Sequence, residues 1–157
     1  MIVIEMDNGG VIKIKLDVNA APKTVENFES LVKKGFYNGL TFHRIIPGFM
    51  IQGGDPLGNG MGGSETNIIG EFASNGIPNP LPHKRGVISM ARSQDPNSAS
   101  SQFFIMHTDA SYLDGHYAAF GKVVDGMEVV DEIAMTPTGF QDKPTHPVIM
   151  KRVYIEN

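Results

Sequence analysis

Cysteine is absent from the 157 residues, which removes disulfides, thiol nucleophiles and thiolate metal sites together. A basic excess is lacking too: 13 Lys and Arg stand against 17 Asp and Glu, a net charge of −4. That disfavours a nucleic-acid binder relying on a broad positive surface. No stretch approaches the roughly 20 apolar residues of a membrane span. Met1 to Asp7 carries no basic leader, and its apolar run is too short for a signal core. The expectation is a cytoplasmic monomer with neither nucleic acid nor membrane as partner.

What is present suits one packed domain over residues 1–157. Hydrophobic residues make up 41% and charged residues 19%, enough for a core and too apolar for disorder. The 18 glycines and 10 prolines are spread along the whole chain, which favours short strands and turns over a helical bundle.

Residues 2–6 read as a strand, Asp7-Asn8-Gly9-Gly10 as a turn, and 11–18 as a second strand with Ile12, Ile14 and Leu16 on one face. Pro22 suits a first helical turn, and Val25, Phe28, Leu31 and Val32 recur at helical spacing. Lys33-Lys34-Gly35 then closes an amphipathic helix over 21–34. Strands follow at 40–46, 49–53, 86–91, 101–107, 118–124 and 148–155. A second short helix after Gly126 carries Met127, Val129, Val130 and Ile133. The pattern predicts a mostly-β domain with two helices, most simply a closed or nearly closed barrel.

Several apparent chemical signals have blander readings. Gly58-Asn59-Gly60-Met61-Gly62-Gly63 satisfies G-x-G-x-x-G, but no strand precedes it and no helical periodicity follows, so it reads as a flexible surface loop. His43, His83, His107, His116 and His146 are scattered without ligand spacing, which argues against a metal site. Ser98, Ser100 and Ser101 lack a G-x-S-x-G frame and read as a hydroxyl-rich loop. Asp131-Glu132 reads as the solvated face of the second helix. With no cofactor or metal implied, catalysis would have to work through shape and fixed hydrogen bonds.

One stretch resists such a reading. Phe42-His43-Arg44-Ile45-Ile46-Pro47-Gly48-Phe49-Met50-Ile51-Gln52-Gly53-Gly54-Asp55 embeds an arginine and a glutamine in two apolar strands. Met50 and Gln52 share one strand face, and Gln102 and Phe104 share another. Two strands thus each offer an apolar group beside an amide, as a peptide groove requires.

These residues resemble the cyclophilin peptidyl-prolyl cis-trans isomerases. The resemblance runs through Ala21-Pro22-Lys23-Thr24-Val25-Glu26-Asn27-Phe28, the block from Phe42 to Asp55, and Gly86-Val87-Ile88-Ser89-Met90-Ala91. Ser101-Gln102-Phe103-Phe104-Ile105, Leu113-Asp114-Gly115, Phe120-Gly121-Lys122-Val123 and Gly126-Met127 follow in the family's order, with short loops like those of compact prokaryotic members. It implies an eight-stranded antiparallel closed barrel capped by two helices, with core side chains inside and the active site outside.

Carried over, the resemblance makes Arg44 the catalytic arginine and Phe49, Met50, Phe104 and Leu113 the walls of a proline pocket. Gln52, Gln102 and the segment Ala91, Arg92, Ser93 become peptide-backbone contacts, and His43 lines the same site. Arg92, Tyr112 and Tyr117 stand where asparagine, tryptophan and histidine are usual in the eukaryotic pattern; Arg92 should matter little through a backbone contact, Tyr117 still offers an aromatic wall with a hydroxyl, and Tyr112 should weaken cyclosporin binding. The implied partners are proline-containing peptides and folding proteins. The competing expectations are a proline-peptide binding module or holdase with little turnover, and a carrier of small apolar ligands.

Overall fold

A computed structural model describes residues 1–157. Strands β1 (Ile2–Met6) and β2 (Val11–Leu16) form the first hairpin, with Ile2 opposite Ile14 and Ile4 opposite Ile12. Alternation buries Ile12 and Ile14 and leaves Lys15 exposed.

Helix α1 (Pro22–Lys33) is one residue shorter at each end than its periodicity suggests. Ala21, at the N-cap, has no side chain to receive the first orphan N–H groups. Glu71 receives them instead from a distant loop: its carboxylate accepts the Thr24 N–H at 2.6 Å, the Thr24 hydroxyl at 2.7 Å and the Lys23 N–H at 3.3 Å. At the other end Gly35 takes φ +74°, so that Phe36 N–H reaches the Leu31 carbonyl and Gly35 N–H the Val32 carbonyl.

The remaining elements are β3 (Phe42–Ile46), β4 (Met50–Gly53), β5 (Val87–Met90), β6 (Phe103–Met106), β7 (Ala119–Asp125), α2 (Met127–Ala134) and β8 (Met150–Ile155). The strands make one antiparallel, strongly curled sheet in the order β3-β4-β6-β5-β7-β2-β1-β8. Its outer strands meet along a short seam just before β3 and β8. There Thr41 pairs with Ile149, and Phe42 N–H donates to the Val148 carbonyl at 3.0 Å. No helix is long and apolar enough to cross a membrane.

The interior is filled. Phe28 of α1 meets Tyr37, Phe103 and Phe120 at ring-centroid distances of 5.0 to 5.6 Å, and Phe42 packs edge-on against Phe103. The Tyr37 hydroxyl, fully buried, donates to the Ser101 carbonyl at 2.8 Å. Val130, Ile133 and Ala134 of α2 close the same core. Outward residues of β4, β5 and β6 therefore need cover of their own. Met50, Val87, Phe104 and Met106 find it in a smaller cluster with Ala110, Leu113 and Ala119.

Candidate active site

The candidate site is built on the outer face of β3, β4, β6 and β5. Register places Arg44 opposite Gln52, Gln52 opposite Phe104, and Phe104 opposite Ser89, a cross-strand row of four side chains. Arg44 reaches that row through a β-bulge. Strict alternation would put Phe42 and Arg44 on one face, yet Phe42 is fully buried in the core and Arg44 is exposed. The register between β3 and β4 shifts at His43, the extra residue, and the shift re-aims the arginine.

Side-chain hydrogen bonds hold the row. Arg44 Nη1 lies 3.4 Å from Gln52 Oε1, and Gln52 Nε2 donates to Gln102 Oε1 at 3.0 Å. Gln102 Nε2 donates in turn to the carbonyls of Gly60 and Gly62. The glycine-rich loop is consequently fastened down, where the sequence suggested flexibility. Its donors are also occupied: the buried Asp55 carboxylate accepts the N–H groups of Leu57, Asn59 and Gly60, and these bonds hold Asp55 below the usual carboxylate range although burial opposes them.

Beside this row lies a niche of about 150 Å³, lined by Arg44, Phe49, Met50, Gln52, Ala91, Arg92, Phe104, Leu113 and Tyr117. It is smaller than the roughly 300 Å³ at which cofactor-sized pockets begin, and suits one small apolar ring. A second compartment of about 250 Å³ shares Gln52, Ala91 and Arg92, and adds Ser93, Gln102 and Met61. On the far side of Arg44 an open polar cleft of about 740 Å³ runs between residues 58–60 and 139–145. The three compartments form one groove centred on Gln52.

Three anticipated site residues sit differently. His43 borders the polar cleft and not the niche; it is only 5% exposed, and neither ring nitrogen has a hydrogen-bond partner. Burial lowers its pKa, Arg44 and Lys143 lower it further, and Asp55 opposes them. Tyr112 stands outside the niche, stacked on Phe49 at 6.3 Å. The Arg92 guanidinium is tied into the wall of the groove: it lies 4.8 Å from both the Phe72 and Tyr117 rings and donates to the His116 carbonyl at 2.7 Å. Its backbone N–H and carbonyl stay free of other backbone groups and can face a peptide.

The other polar clusters are structural. Ser101 is fully buried and donates to the Gly54 carbonyl, and the Ser98 hydroxyl donates to the Asp95 carbonyl. Asp131 is more than a solvated carboxylate, since Arg85 grips it with two bonds of 2.7 Å and His107 Nε2 approaches to 3.2 Å. One contributor escaped the sequence reading: His83 lies under Phe104 with ring planes 18° apart. Only its position before a strand bearing Ser89 hinted at it.

An arginine at the rim of an apolar niche, followed across the sheet by the amides of Gln52 and Gln102, suits a protein that acts on bound peptide through shape and hydrogen bonds. A model of the cyclophilin type peptidyl-prolyl cis-trans isomerase family matches residues 1–155. The chain is 46% identical to peptidyl-prolyl cis-trans isomerase CYP18-1 of Arabidopsis thaliana, over 94% of this chain and 91% of that one. It is also 46% identical to a peptidyl-prolyl cis-trans isomerase of Acinetobacter baylyi, over 96% and 82%. A cyclophilin type isomerase of Cryptosporidium parvum, crystallised in the presence of the dipeptide Ala-Pro, superposes with a TM-score of 0.90 at 35% identity, covering 99% of this chain and 98% of that one. The chain belongs to the cyclophilin-type peptidyl-prolyl cis-trans isomerases, and its activity is the rotation of X–Pro peptide bonds.

Proposed function

We propose that Arg44 catalyses this rotation on proline-containing peptides and folding proteins held in the groove, with the proline ring in the niche of Phe49, Met50, Phe104 and Leu113. The observation that carries the reading is the bulge at His43, which sets the Arg44 guanidinium at the rim of that niche and beside Gln52.

Uncatalysed X–Pro isomerisation takes roughly 10–100 s because amide resonance must be broken. A turnover of about 10²–10³ s⁻¹ needs on the order of 10⁴-fold acceleration or more, about 6–7 kcal/mol. No covalent step is required at that scale. In the twisted transition state the prolyl nitrogen becomes pyramidal and regains a lone pair. A guanidinium N–H aimed at that lone pair makes a hydrogen bond that the planar ground state cannot offer, which is differential binding. Gln52, Gln102 and the backbone of Ala91 and Arg92 fix the flanking chain so that only one side turns, whereas the Ser93 N–H and carbonyl are taken by the Ser98 hydroxyl and the Arg92 guanidinium.

The Cryptosporidium parvum isomerase was crystallised in the presence of Ala-Pro, which supports the same class of ligand here.

The test is a protease-coupled isomerisation assay on an Ala-Pro tetrapeptide with wild type and Arg44→Ala. Arg44 is exposed, and its one side-chain bond is 3.4 Å long, so the variant keeps its fold. Losing one charge-assisted bond, about 2–3 kcal/mol, lowers kcat/KM by roughly 10²-fold while the peptide still binds. A folded variant with near wild-type kcat/KM would refute the role of Arg44. Wild-type binding without turnover would instead favour a peptide-binding module.

A further inference from the structure

We propose that His83, braced by Asp114, is a positioning residue that sets the floor of the proline niche; this rests on the assignment of Phe104 and Leu113 to that niche. His83 is 1% exposed, and both of its ring nitrogens are engaged. Asp114 Oδ1 accepts the His83 backbone N–H at 2.6 Å and the Nδ1–H at 2.9 Å. With that proton on Nδ1, Nε2 is the acceptor for the Ser89 hydroxyl at 2.8 Å. The His83 carbonyl accepts the Ala110 N–H at 2.8 Å. Burial lowers the pKa of the ring and keeps it in this neutral form, with Asp114 opposing.

Each contact of this imidazole reaches a different part of the niche. Its face supports Phe104, 6.1 Å away and nearly parallel, while Tyr117 meets Phe104 edge-on at 5.7 Å from another side. Asp114 follows Leu113 directly and closes the short turn Ser111–Leu113 that carries Leu113 and Tyr112. Ser89 is the cross-strand partner of Phe104. One buried ring thus couples β5, β6 and the 110–114 turn, three segments that share no other side-chain anchor of this kind.

The connectivity Asp114–His83–Ser89 imitates that of a hydrolase triad, but its chemistry differs. The Ser89 side chain shares the outer sheet face with Phe104 but is fully covered, and its proton is committed to His83, so no nucleophile reaches the groove. The cluster acts on geometry. A loosened Phe104 or Leu113 weakens the hold on the proline ring, while Arg44, on β3 and two strands away from Phe104, keeps its aim.

The experiment compares Asp114→Ala, Asp114→Asn and His83→Phe by coupled isomerisation kinetics and by NMR titration with an Ala-Pro tetrapeptide. Asp114→Ala and His83→Phe are expected to raise KM and the peptide Kd about tenfold with kcat within about threefold. Asp114→Asn should stay within about twofold of wild type, because an amide oxygen can accept the same two N–H bonds. Wild-type KM in folded Asp114→Ala would overturn the proposal whatever its Tm, and so would Asp114→Asn behaving like Asp114→Ala. Asp114 has a side chain 38% exposed, so its variants decide the matter even where His83→Phe does not fold. Failure of the underlying site assignment would show separately, as folded Phe104→Ala and Leu113→Ala both binding the Ala-Pro tetrapeptide with wild-type Kd.

Discussion

Acidification from pH 7.5 to 5.5 should destabilise the fold well before it touches catalysis. His43 and His83 are 5% and 1% exposed, and burial is the leading cause of a lowered pKa in each. The unfolded chain returns both to about 6.5. Below that value the unfolded state takes up protons that the folded state refuses, so stability is complete above pH 6.5 and declines as pH falls through it. One unit below, each ring kept neutral costs about 1.4 kcal/mol, and the pair about 2.8 kcal/mol as a ceiling. For a chain of 157 residues that corresponds to a Tm lower by roughly 6–11 °C. Asp55 and Asp131 have depressed pKa values, so their contributions are lost only below the ordinary carboxylate range and leave this window clean. Thermal melts of wild type and His43→Gln across the interval measure the effect, and the variant should show about half the decline. Activity should behave otherwise. Arg44 stays protonated throughout, and the His43 nitrogens are enclosed away from the niche, so kcat/KM should vary less than about threefold from pH 6 to 8.5. A Tm independent of pH between 7.5 and 5.5 would refute the linkage argument. A unit-slope limb in kcat/KM that disappears in His43→Gln would refute the exclusion of His43 from proton transfer.

Tyr112 is 69% exposed and stacks on Phe49 at the edge of the niche, so enlarging it alters a rim contact and not the core. Tyr112→Trp should tighten cyclosporin inhibition by about 1–2 kcal/mol, roughly 5–30-fold, and equal potency in an inhibition titration would rule out Tyr112 as the cause of weak binding. Glu71→Gln replaces an acceptor of three bonds at the α1 N-terminus with an amide that turns donors toward donors. It should cost about 1–2 kcal/mol, or roughly 2–8 °C in Tm, with unchanged kcat/KM; an unaltered melt would show that the capping account is wrong.

Local periodicity made much of the fold legible. The alternation of Ile12, Ile14 and Leu16 and the helical spacing of Val25, Phe28, Leu31 and Val32 each depend on neighbours within a few residues. The Phe42 to Asp55 block was legible as chemistry for a similar reason, since its arginine and glutamine fall in adjacent strands. What escaped depends on contacts between distant segments. Periodicity assigns Phe42 and Arg44 to one face, and only the register against β4 reveals the bulge that separates them. Glu71 lies 47 positions from the Thr24 N–H it receives, and His83 lies 31 positions from Asp114. Arg92 stands where the family's eukaryotic pattern has asparagine, and its guanidinium is tied to Phe72, Tyr117 and the His116 carbonyl, a placement made by cation–π and carbonyl partners far along the chain.

The two ends of the chain lie side by side, with Ile2 opposite Ile155 and Glu156 N–H bonded to the Met1 carbonyl at 2.8 Å. During synthesis β1 is made well before its partner β8, which follows the other seven strands of the sheet. Until β8 arrives, β1 presents an unpaired edge, and the core lacks Met150 and Val153, both buried in the finished molecule. The seam near Thr41 and Ile149 is missing over the same interval. Closure is thus non-local, the slow kind of topology, and the sheet is most exposed to edge-to-edge association until β8 is made.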